Sequence, residues 1–162
     1  MAKFDLQEGN YTVPGAHIGI VAARFNQEVV DRLIEGAIDT LKYHGVKEEN
    51  ITIVRVPGAF ELPITARRLA ETYDLDAVIT LGTVIRGGTP HFEYVAGVSA
   101  HGVSRVSLDQ NLPVIFGVLT TDNTEDAMAR AGGEEGNKGS ESALAALEMI
   151  ALFRQIAGLQ DQ

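Results

Sequence analysis

The sequence predicts a three-layer α/β/α sandwich built on a four-stranded parallel sheet. Short apolar segments suited to buried strands alternate with segments of helical periodicity, in the order βαβαβαβα. Parallel strands need crossover connections, so this alternation places helices on both faces of the sheet. The chain has 162 residues, 45% of them hydrophobic, which is enough for one core. We therefore predict a single domain over residues 1–162.

Four apolar segments are predicted to form the strands, because each is rich in β-branched or small apolar residues. They span residues 16–23, 51–56, 77–81 and 113–119. Between them, apolar residues recur every three or four positions, which is the spacing of one helix face. We expect the Asn26 side chain to cap the first helix, which ends near Gly45. The second helix is predicted to begin at Leu62 with Pro63 in its first turn, and the third to run from near His91 to Gln110. A short fourth helix is predicted after Thr124, and a fifth from Ser140 to Ile156.

The N-terminal residues 1–15 have no helical period. We predict that they extend along the sheet edge of a neighbouring subunit, and a flexible tail is the alternative. They also have no apolar core of the kind found in signal peptides, and no later run is long and charge-free enough to span a membrane. We therefore expect a soluble, cytoplasmic protein.

Composition excludes several functional classes. The chain carries 13 Lys and Arg residues against 22 Asp and Glu residues, and the resulting net charge of -9 argues against a nucleic-acid partner. Cysteine is absent, which removes disulfides, thiol nucleophiles and cysteine-ligated metals. The four histidines lack the spacing of metal ligands, so we predict no catalytic metal.

Polar and aromatic residues are concentrated in the four predicted strand-to-helix loops, which span residues 24–26, 57–61, 83–91 and 120–123. In open α/β sheets, ligands bind outside the carboxyl ends of the strands. Loop residues that are neither turn formers nor core residues are therefore functional candidates. The sequence predicts a ligand site at this edge of the sheet.

The segment from Arg86 to His91 contains two glycines that permit close backbone approach, followed by a predicted helix start that favours an anion. We interpret it as a phosphate cradle, although a Gly-Gly pair alone is more typical of an ordinary strand-to-helix turn. His91 falls in the first helical turn, where the helix dipole favours neutral imidazole. We hypothesise a general acid/base role for His91, and a capping or solvent-facing histidine is the alternative.

Three phenylalanines are candidates for contact with a planar ligand. Phe25 and Phe60 lie in predicted loops and can either stack on a heterocycle or fill the core, whereas Phe116 lies inside a strand, where core packing is the simpler interpretation. Glu61 can complement a helix dipole or accept hydrogen bonds from a polyol. Arg130 and Lys138 flank the glycine-rich residues 131–137, a flexible stretch that can bring a guanidinium to a phosphate or remain a solvated loop.

Four motifs in order resemble those of the lumazine synthase family. They are VPGAFELP at residues 56–63, LGTVIRGGTPHFEY at 81–94, VIFGVLTT at 114–121 and GNKG at 136–139. The likeness runs from about Ile18 to Ile150, and several long motifs in register are far more specific than one. The resemblance is consistent with a flavodoxin-like form of the predicted sandwich.

The resemblance implies a transferase that condenses 5-amino-6-(D-ribitylamino)uracil with 3,4-dihydroxy-2-butanone 4-phosphate. The products are 6,7-dimethyl-8-ribityllumazine, phosphate and water, and no cofactor is needed. His91 matches the family's proton-transfer residue. The uracil site would be lined by Phe25, Ala59, Phe60, Glu61, Thr83, Val84, Ile85 and Phe116. The phosphate would be held by Gly88, Thr89 and Arg130, with Asn26 and Lys138 as further candidates.

The resemblance also implies assembly. Family sites lie between adjacent subunits of a pentamer, with Phe116 and Arg130 supplied by the neighbour, and twelve pentamers often close into a sixty-subunit shell. Riboflavin synthase is a candidate partner. Where many relatives carry a further lysine, this chain has Gly133-Glu134-Glu135, which we expect to weaken phosphate attraction.

Three alternatives to this function keep the same fold. One is a protein that binds a flavin-like ligand without turnover, and another is a shell-forming scaffold with a decayed site. The third is the archaeal-type riboflavin synthase. A scaffold has no need for Phe25, Glu61, His91 and Arg130 together, and a binder would capture ligand without releasing product.

Overall fold

A computed structural model describes residues 4–158 and contains the predicted parallel sheet between two layers of helices. The main strands pair in parallel in the order β2-β1-β3-β4, so the direction in which strands are added reverses between β1 and β3. This order is that of flavodoxin-like proteins, which bind ligands at the reversal. The predicted fold class is confirmed. The strands are β1 (Ile18–Ala23), β2 (Ile51–Val56), β3 (Ala77–Ile85) and β4 (Val114–Thr121).

Five α-helices cover the two faces. Helices α1 and α5 contact each other on one face, and α2 and α3 contact each other on the opposite face. Every residue of β1 is buried, as expected for a strand covered on both sides. Alternate residues serve the two cores, with Ile20 facing Leu33 and Leu147, and Val21 facing Leu62. The helices are α1 (Gln27–Tyr43), α2 (Leu62–Thr72), α3 (His91–Gln110), α4 (Thr124–Ala129) and α5 (Lys138–Gly158), with short 3-10 helices at Glu48–Asn50 and Ala59–Glu61.

Strands β3 and β4 are longer than predicted. β3 continues to Ile85 and β4 to Thr121, and the two remain paired as far as Ile85 opposite Thr121. Backbone pairing does not require apolar side chains, so it extends past the apolar runs from which the strands were predicted. Thr83, Val84 and Ile85 therefore lie on a strand, and assigning them to the loop was wrong.

The glycine-rich stretch after α4 was predicted to be a flexible loop, but it forms an antiparallel hairpin. Its strands are β5 (Ala131–Gly133) and β6 (Gly136–Asn137). Gly132 and Gly136 have φ values of 100° and 88°, a region that side chains with a Cβ rarely occupy. The glycines are therefore needed to build the hairpin.

The N-terminal segment lies against α5 of its own chain. Gln155 Nε2 donates to the Glu8 carbonyl at 2.9 Å, and Arg154 Nη1 donates to the Pro14 carbonyl at 2.9 Å. Residues 4–15 form no strand within the chain, and the first three residues of the predicted segment lie outside the described residues. Pairing of this segment with a neighbouring subunit stays a prediction.

Candidate active site at the carboxyl edge of the sheet

A cleft of about 530 Å³ opens at the carboxyl ends of β1, β2 and β3, beside the start of α3. Its volume is in the range of small-molecule sites. Ten of the predicted site residues line it, and they come from three of the four predicted loops, whereas Thr120 and Thr121 of the fourth loop line other cavities. The ten are Phe25, Asn26, Ala59, Phe60, Glu61, Thr83, Val84, Ile85, Thr89 and His91.

Phe25 and Phe60 flank the cleft as exposed aromatic side chains. Their side chains are 72% and 57% exposed, so neither fills the core of this chain. The loops that carry them are joined by backbone hydrogen bonds, because the Arg24 amide donates to Val56 at 2.7 Å and the Phe25 amide to Pro57 at 3.0 Å. Two large aromatic faces therefore remain available to a planar ligand.

Asn26 joins the first loop to the third strand. Its backbone is in the left-handed region, with φ of 60°, and its Nδ2 donates to the Thr83 carbonyl at 2.9 Å. Within the described chain its side chain makes no cap hydrogen bond to α1, so the predicted capping role was wrong. The side chain instead holds the Phe25 loop against β3.

The Glu61 carboxylate is half-buried in the wall of the cleft. Its Oε1 accepts a hydrogen bond from the Gly58 amide at 3.0 Å, which fixes the direction of the side chain. Glu61 ends the 3-10 helix that leads into α2. A carboxylate held in this way is placed to accept hydrogen bonds from hydroxyl groups in the cleft.

Thr83 supplies a polar atom that the described part of the chain leaves unsatisfied. The residue is only 3% exposed and lines the cleft, and among residues 4–158 its Oγ1 has no hydrogen-bond partner. Leaving a buried hydroxyl unpaired costs about 1–3 kcal/mol. A ligand in the cleft that offers a polar atom would remove this penalty.

The segment after β3 forms the open rim of the cleft. Gly87 and Thr89 line the cleft and are exposed, whereas Gly88 lies between them outside the lining. His91 is the first residue of α3, as predicted, and its exposed side chain faces the cleft. The free amides of a helix start favour an anion at this place.

Three predicted site residues lie elsewhere on the chain. Phe116 is half-buried on β4 and lines a separate cavity of about 330 Å³ beside α3. Arg130 and Lys138 line another cavity of about 360 Å³ together with Glu135 and Glu141. Phe116 lies on the edge strand of the sheet and Arg130 is exposed, so both are accessible to a second copy of the chain.

Phe92 and Val95 also line the cleft, although neither was predicted as a site residue. Both lie on α3 next to His91, one in the same turn and the other one turn later. The helical spacing from His91 was the signal that could have found Val95.

Ionic contacts surround Arg86, which follows β3. Its Nε lies 2.9 Å from Asp122 Oδ1 and its Nη1 lies 3.4 Å from Glu93 Oε1. The hydrogen bond that Arg86 donates to Asp122, followed by the one it donates to Glu93, raises the pKa of its guanidinium. The Asp122 and Glu93 carboxylates therefore both contact a guanidinium that stays positively charged.

Residues 4–158 contain neither a metal-binding cluster nor a membrane-spanning helix. This part of the chain brings no three His, Asp or Glu side chains together as metal ligands. None of its helices has the length and apolarity needed to cross a bilayer. The expectation of a metal-free reaction stays a prediction.

The sheet order and the cleft together define a flavodoxin-like α/β protein with a small-molecule cleft at the carboxyl edge of its sheet. A model of the 6,7-dimethyl-8-ribityllumazine synthase family matches residues 15–154, and the chain belongs to that family. It is thus an enzyme of riboflavin biosynthesis that acts on small-molecule substrates.

Two solved structures are similar at low identity. A de novo designed Rossmann fold protein is 13% identical with a TM-score of 0.40, and the match covers 69% of this chain and 90% of the design. A GDP-L-fucose synthetase from Naegleria fowleri is 12% identical with a TM-score of 0.42, and the match covers 99% of this chain. The chain spans about half of that synthetase, 51% of its length.

Proposed function

We propose that this enzyme is a transferase that condenses 5-amino-6-(D-ribitylamino)uracil with 3,4-dihydroxy-2-butanone 4-phosphate to give 6,7-dimethyl-8-ribityllumazine, the penultimate step of riboflavin biosynthesis. The observation that carries the proposal is the convergence on one cleft of three separate stretches of the chain, residues 25–26, 57–61 and 83–95. An exposed aromatic ring, an oriented carboxylate, an unsatisfied hydroxyl and a histidine line the cleft together, at Phe25, Glu61, Thr83 and His91.

The uracil substrate occupies the inner part of the cleft in this proposal. Phe25 stacks on the pyrimidine, and Glu61 receives hydroxyl groups of the ribityl chain. Thr83 offers its unpaired hydroxyl to a polar atom of the ring. The Asn26 bond to the Thr83 carbonyl supports this arrangement, because it fixes the aromatic loop relative to the strand.

The phosphate of the second substrate lies at the rim, near the start of α3. Gly88 and Thr89 provide backbone amides beside the positive end of the helix dipole. Arg130 and Lys138 complete the site from a neighbouring subunit, and Phe116 of the same neighbour covers the uracil. Within one chain none of these three side chains lines the cleft, although Arg130 lines an adjoining cavity that shares Phe92 with it, and this separation supports a shared site.

The reaction needs no covalent bond between the enzyme and a substrate, because the substrate amine is itself the nucleophile. The 5-amino group attacks the ketone, and one water leaves as the imine forms. The neighbouring carbon loses its proton while phosphate departs from the terminal carbon, and the resulting enol becomes a ketone. The ribitylamino nitrogen attacks this ketone, and loss of a second water closes the ring. His91 carries protons between these steps.

Positioning contributes more than proton transfer in this scheme. Two reactants held in near-attack geometry recover on the order of 7–11 kcal/mol of the barrier. One general acid/base adds typically about 10²–10⁴-fold. Replacing His91 should therefore slow turnover without abolishing it.

The proposal includes an assembly. We propose that single-domain subunits form a homo-pentamer in the cytoplasm and that twelve pentamers form a sixty-subunit shell. Riboflavin synthase is a candidate partner. The position of β4 at the edge of the sheet and the incomplete site of the single chain support contact between subunits. Light scattering tests the assembly.

The function is tested by incubating the protein with both substrates in metal-free buffer while lumazine absorbance and phosphate release are followed. The His91→Ala, Arg130→Ala double variant should be crippled. The matched control is His17→Ala, an exposed histidine before β1 at the opposite edge of the sheet. Equal release of lumazine and phosphate by the wild type supports the proposal. Turnover no faster than the spontaneous reaction would reject the proposal and favour a ligand-binding protein or a shell-forming scaffold.

A further inference from the structure

The segment between β3 and α3, residues 86–90, has little packing of its own. All five of its residues are exposed. A Cβ built on Gly87 or Gly88 would meet no atom within 4 Å among the described residues. Something outside the glycines must therefore hold this segment in the shape that presents its amides to a ligand.

Arg86 contacts both sides of this segment. Its backbone amide donates to the Thr121 carbonyl at 2.9 Å, and its Nε donates to Asp122 Oδ1 at 2.9 Å, so one side is fastened to the end of β4. Its Nη1 reaches Glu93 Oε1 at 3.4 Å in the first turn of α3. The side chain thus bridges the two ends of the glycine segment.

The guanidinium also lies over an aromatic ring in the cleft wall. Arg86 Cζ is 4.5 Å from the centroid of the Phe92 ring, and Phe92 lines both the main cleft and the cavity that contains Arg86. Arg86 itself does not line the main cleft. It therefore contacts the back of a residue that borders the ligand space.

Direct binding of phosphate by Arg86 is disfavoured by charge. Two carboxylates, Asp122 and Glu93, share its one positive charge, so this cluster is net negative. Arg130 lines the same cavity but is accompanied by a further carboxylate, Asp126, so the cavity has no excess of positive charge to attract an anion. The planar Arg86 guanidinium is instead suited to two carboxylates and a ring at once, which a lysine ammonium cannot match.

We infer that Arg86 is a positioning residue, which holds the glycine segment and Phe92 in the conformation that binds the phosphate of the second substrate. The inference rests on the proposed function. It assigns Arg86 a role through its neighbours, because the side chain reaches neither the cleft nor the reacting atoms.

The test compares steady-state constants of the wild type, Arg86→Met and Arg86→Lys in the assembled protein. Arg67→Met is the matched control, since Arg67 also forms an exposed ion pair, with Glu71 on α2. Arg86→Met should raise KM for the butanone phosphate about 10- to 100-fold, because small misplacements of positioning groups have effects of this size. KM for the uracil should rise much less, and Arg86→Lys should recover only part of the loss.

Inorganic phosphate serves as a second probe. Its inhibition of the wild type should weaken in Arg86→Met and remain unchanged in Arg67→Met. Equal rises of both KM values, or an unchanged inhibition by phosphate, would overturn the inference. Asp122→Asn, which keeps the arginine, provides the same comparison if Arg86→Met fails to fold.

Hydrogen exchange separates failure of this inference from failure of the proposed function. Absence of product from the wild type would reject the function alone. The amides of residues 86 and 93, which donate to the Thr121 and Pro90 carbonyls, should still exchange faster in Arg86→Met than in Arg67→Met. Identical exchange in the two variants would reject the role of Arg86 whatever the reaction is.

Discussion

The backbone amide of Lys138 donates a 2.9 Å hydrogen bond to the carbonyl oxygen of Arg130, although seven residues lie between them. The β5–β6 hairpin makes this bond possible by reversing the chain. Both cations consequently line one cavity of about 360 Å³. Two residues that flank a glycine-rich stretch in sequence are thus neighbours in space, which suits a shared anion.

Removing Arg130 should affect one substrate selectively. Arg130→Ala is expected to raise KM for the butanone phosphate much more than KM for the uracil, because a guanidinium binds phosphate with paired hydrogen bonds. Lys138→Ala should have a smaller effect in the same direction. Steady-state kinetics with each substrate varied in turn measures both. Equal effects on the two substrates would count against a phosphate site.

Glu135 and Glu134 should differ although they are adjacent and carry the same charge. Glu135 lines the cavity that holds Arg130 and Lys138, whereas Glu134 is exposed outside it. Glu135→Gln should lower KM for the butanone phosphate by about two- to fivefold at low salt, since a nearby like charge is removed. Glu134→Gln is the control. The same change in both variants would show that only net charge matters.

Replacing Phe25 should weaken uracil binding without destabilising the fold. Its side chain is 72% exposed, so the free chain loses little packing in Phe25→Ala. Loss of stacking on a base costs about 1–3 kcal/mol, which is roughly a 5- to 150-fold change in affinity. Calorimetric titration with the uracil, beside thermal unfolding, separates the two effects. Tyr43→Ala, which removes an aromatic side chain 85% exposed, should leave binding unchanged.

Two residues of the GNKG motif, Asn137 and Gly139, should stabilise the fold and take no part in the reaction. Asn137 Oδ1 accepts from the amides of Gly139 and Ser140 at the start of α5, and its Nδ2 donates to the Arg32 carbonyl. Asn137→Ala should lower the free energy of unfolding by about 1–2 kcal/mol through loss of the cap. Urea unfolding measures the change.

Gly139→Ala should be more damaging than Asn137→Ala. A Cβ at this position would lie 1.9 Å from the Leu33 carbonyl oxygen, so α1 and α5 would have to separate. Overpacking of this kind costs typically about 1–3 kcal/mol or more. Gly158→Ala is the control, because that glycine in the same helix has no atom within 4 Å among the described residues. Equal unfolding midpoints for the two variants would contradict this account.

The ion pair between Lys42 and Glu48 should stabilise the fold only within a window of pH. The hydrogen bond from Lys42 lowers the pKa of Glu48, so its contribution is present above the ordinary glutamate pKa and is lost as pH falls through the lowered value. The same bond raises the pKa of Lys42, so the contribution is also lost as pH rises through that value. The Tm difference between wild type and Lys42→Met should therefore be largest near neutral pH and vanish at both extremes. A difference independent of pH would indicate packing.

The sequence predicted the fold and most of the cleft, because both depend on local patterns. Hydrophobic periodicity located all four main strands and the start of α3 at His91. It placed the end of β3 at Leu81 because the apolar run weakens there, yet pairing with β4 carries the strand to Ile85. The ladder between strands depends on a partner that one segment of sequence does not reveal.

The roles that could not be predicted from the sequence depend on contacts between residues far apart in the chain. The Asn26 side chain contacts β3 instead of its own helix because its left-handed backbone directs it there. The ring of Phe92 and the guanidinium of Arg86 meet across a turn whose shape depends on Asp122, after β4. Roles of this kind need the three-dimensional arrangement.

The Phe92 ring lies between the cleft and Arg86, and this position can couple the binding of two ligands. It forms part of the cleft wall and also lies under the Arg86 guanidinium beside the glycine segment. Under the proposed function, a ligand that moves this ring therefore alters the binding sites of both substrates at once. Thermodynamic linkage then makes the coupling reciprocal, so that the factor by which one substrate changes affinity for the other is the same in both directions. Under the proposed function, Phe92 is therefore the side chain through which occupancy by one substrate would change the affinity for the other.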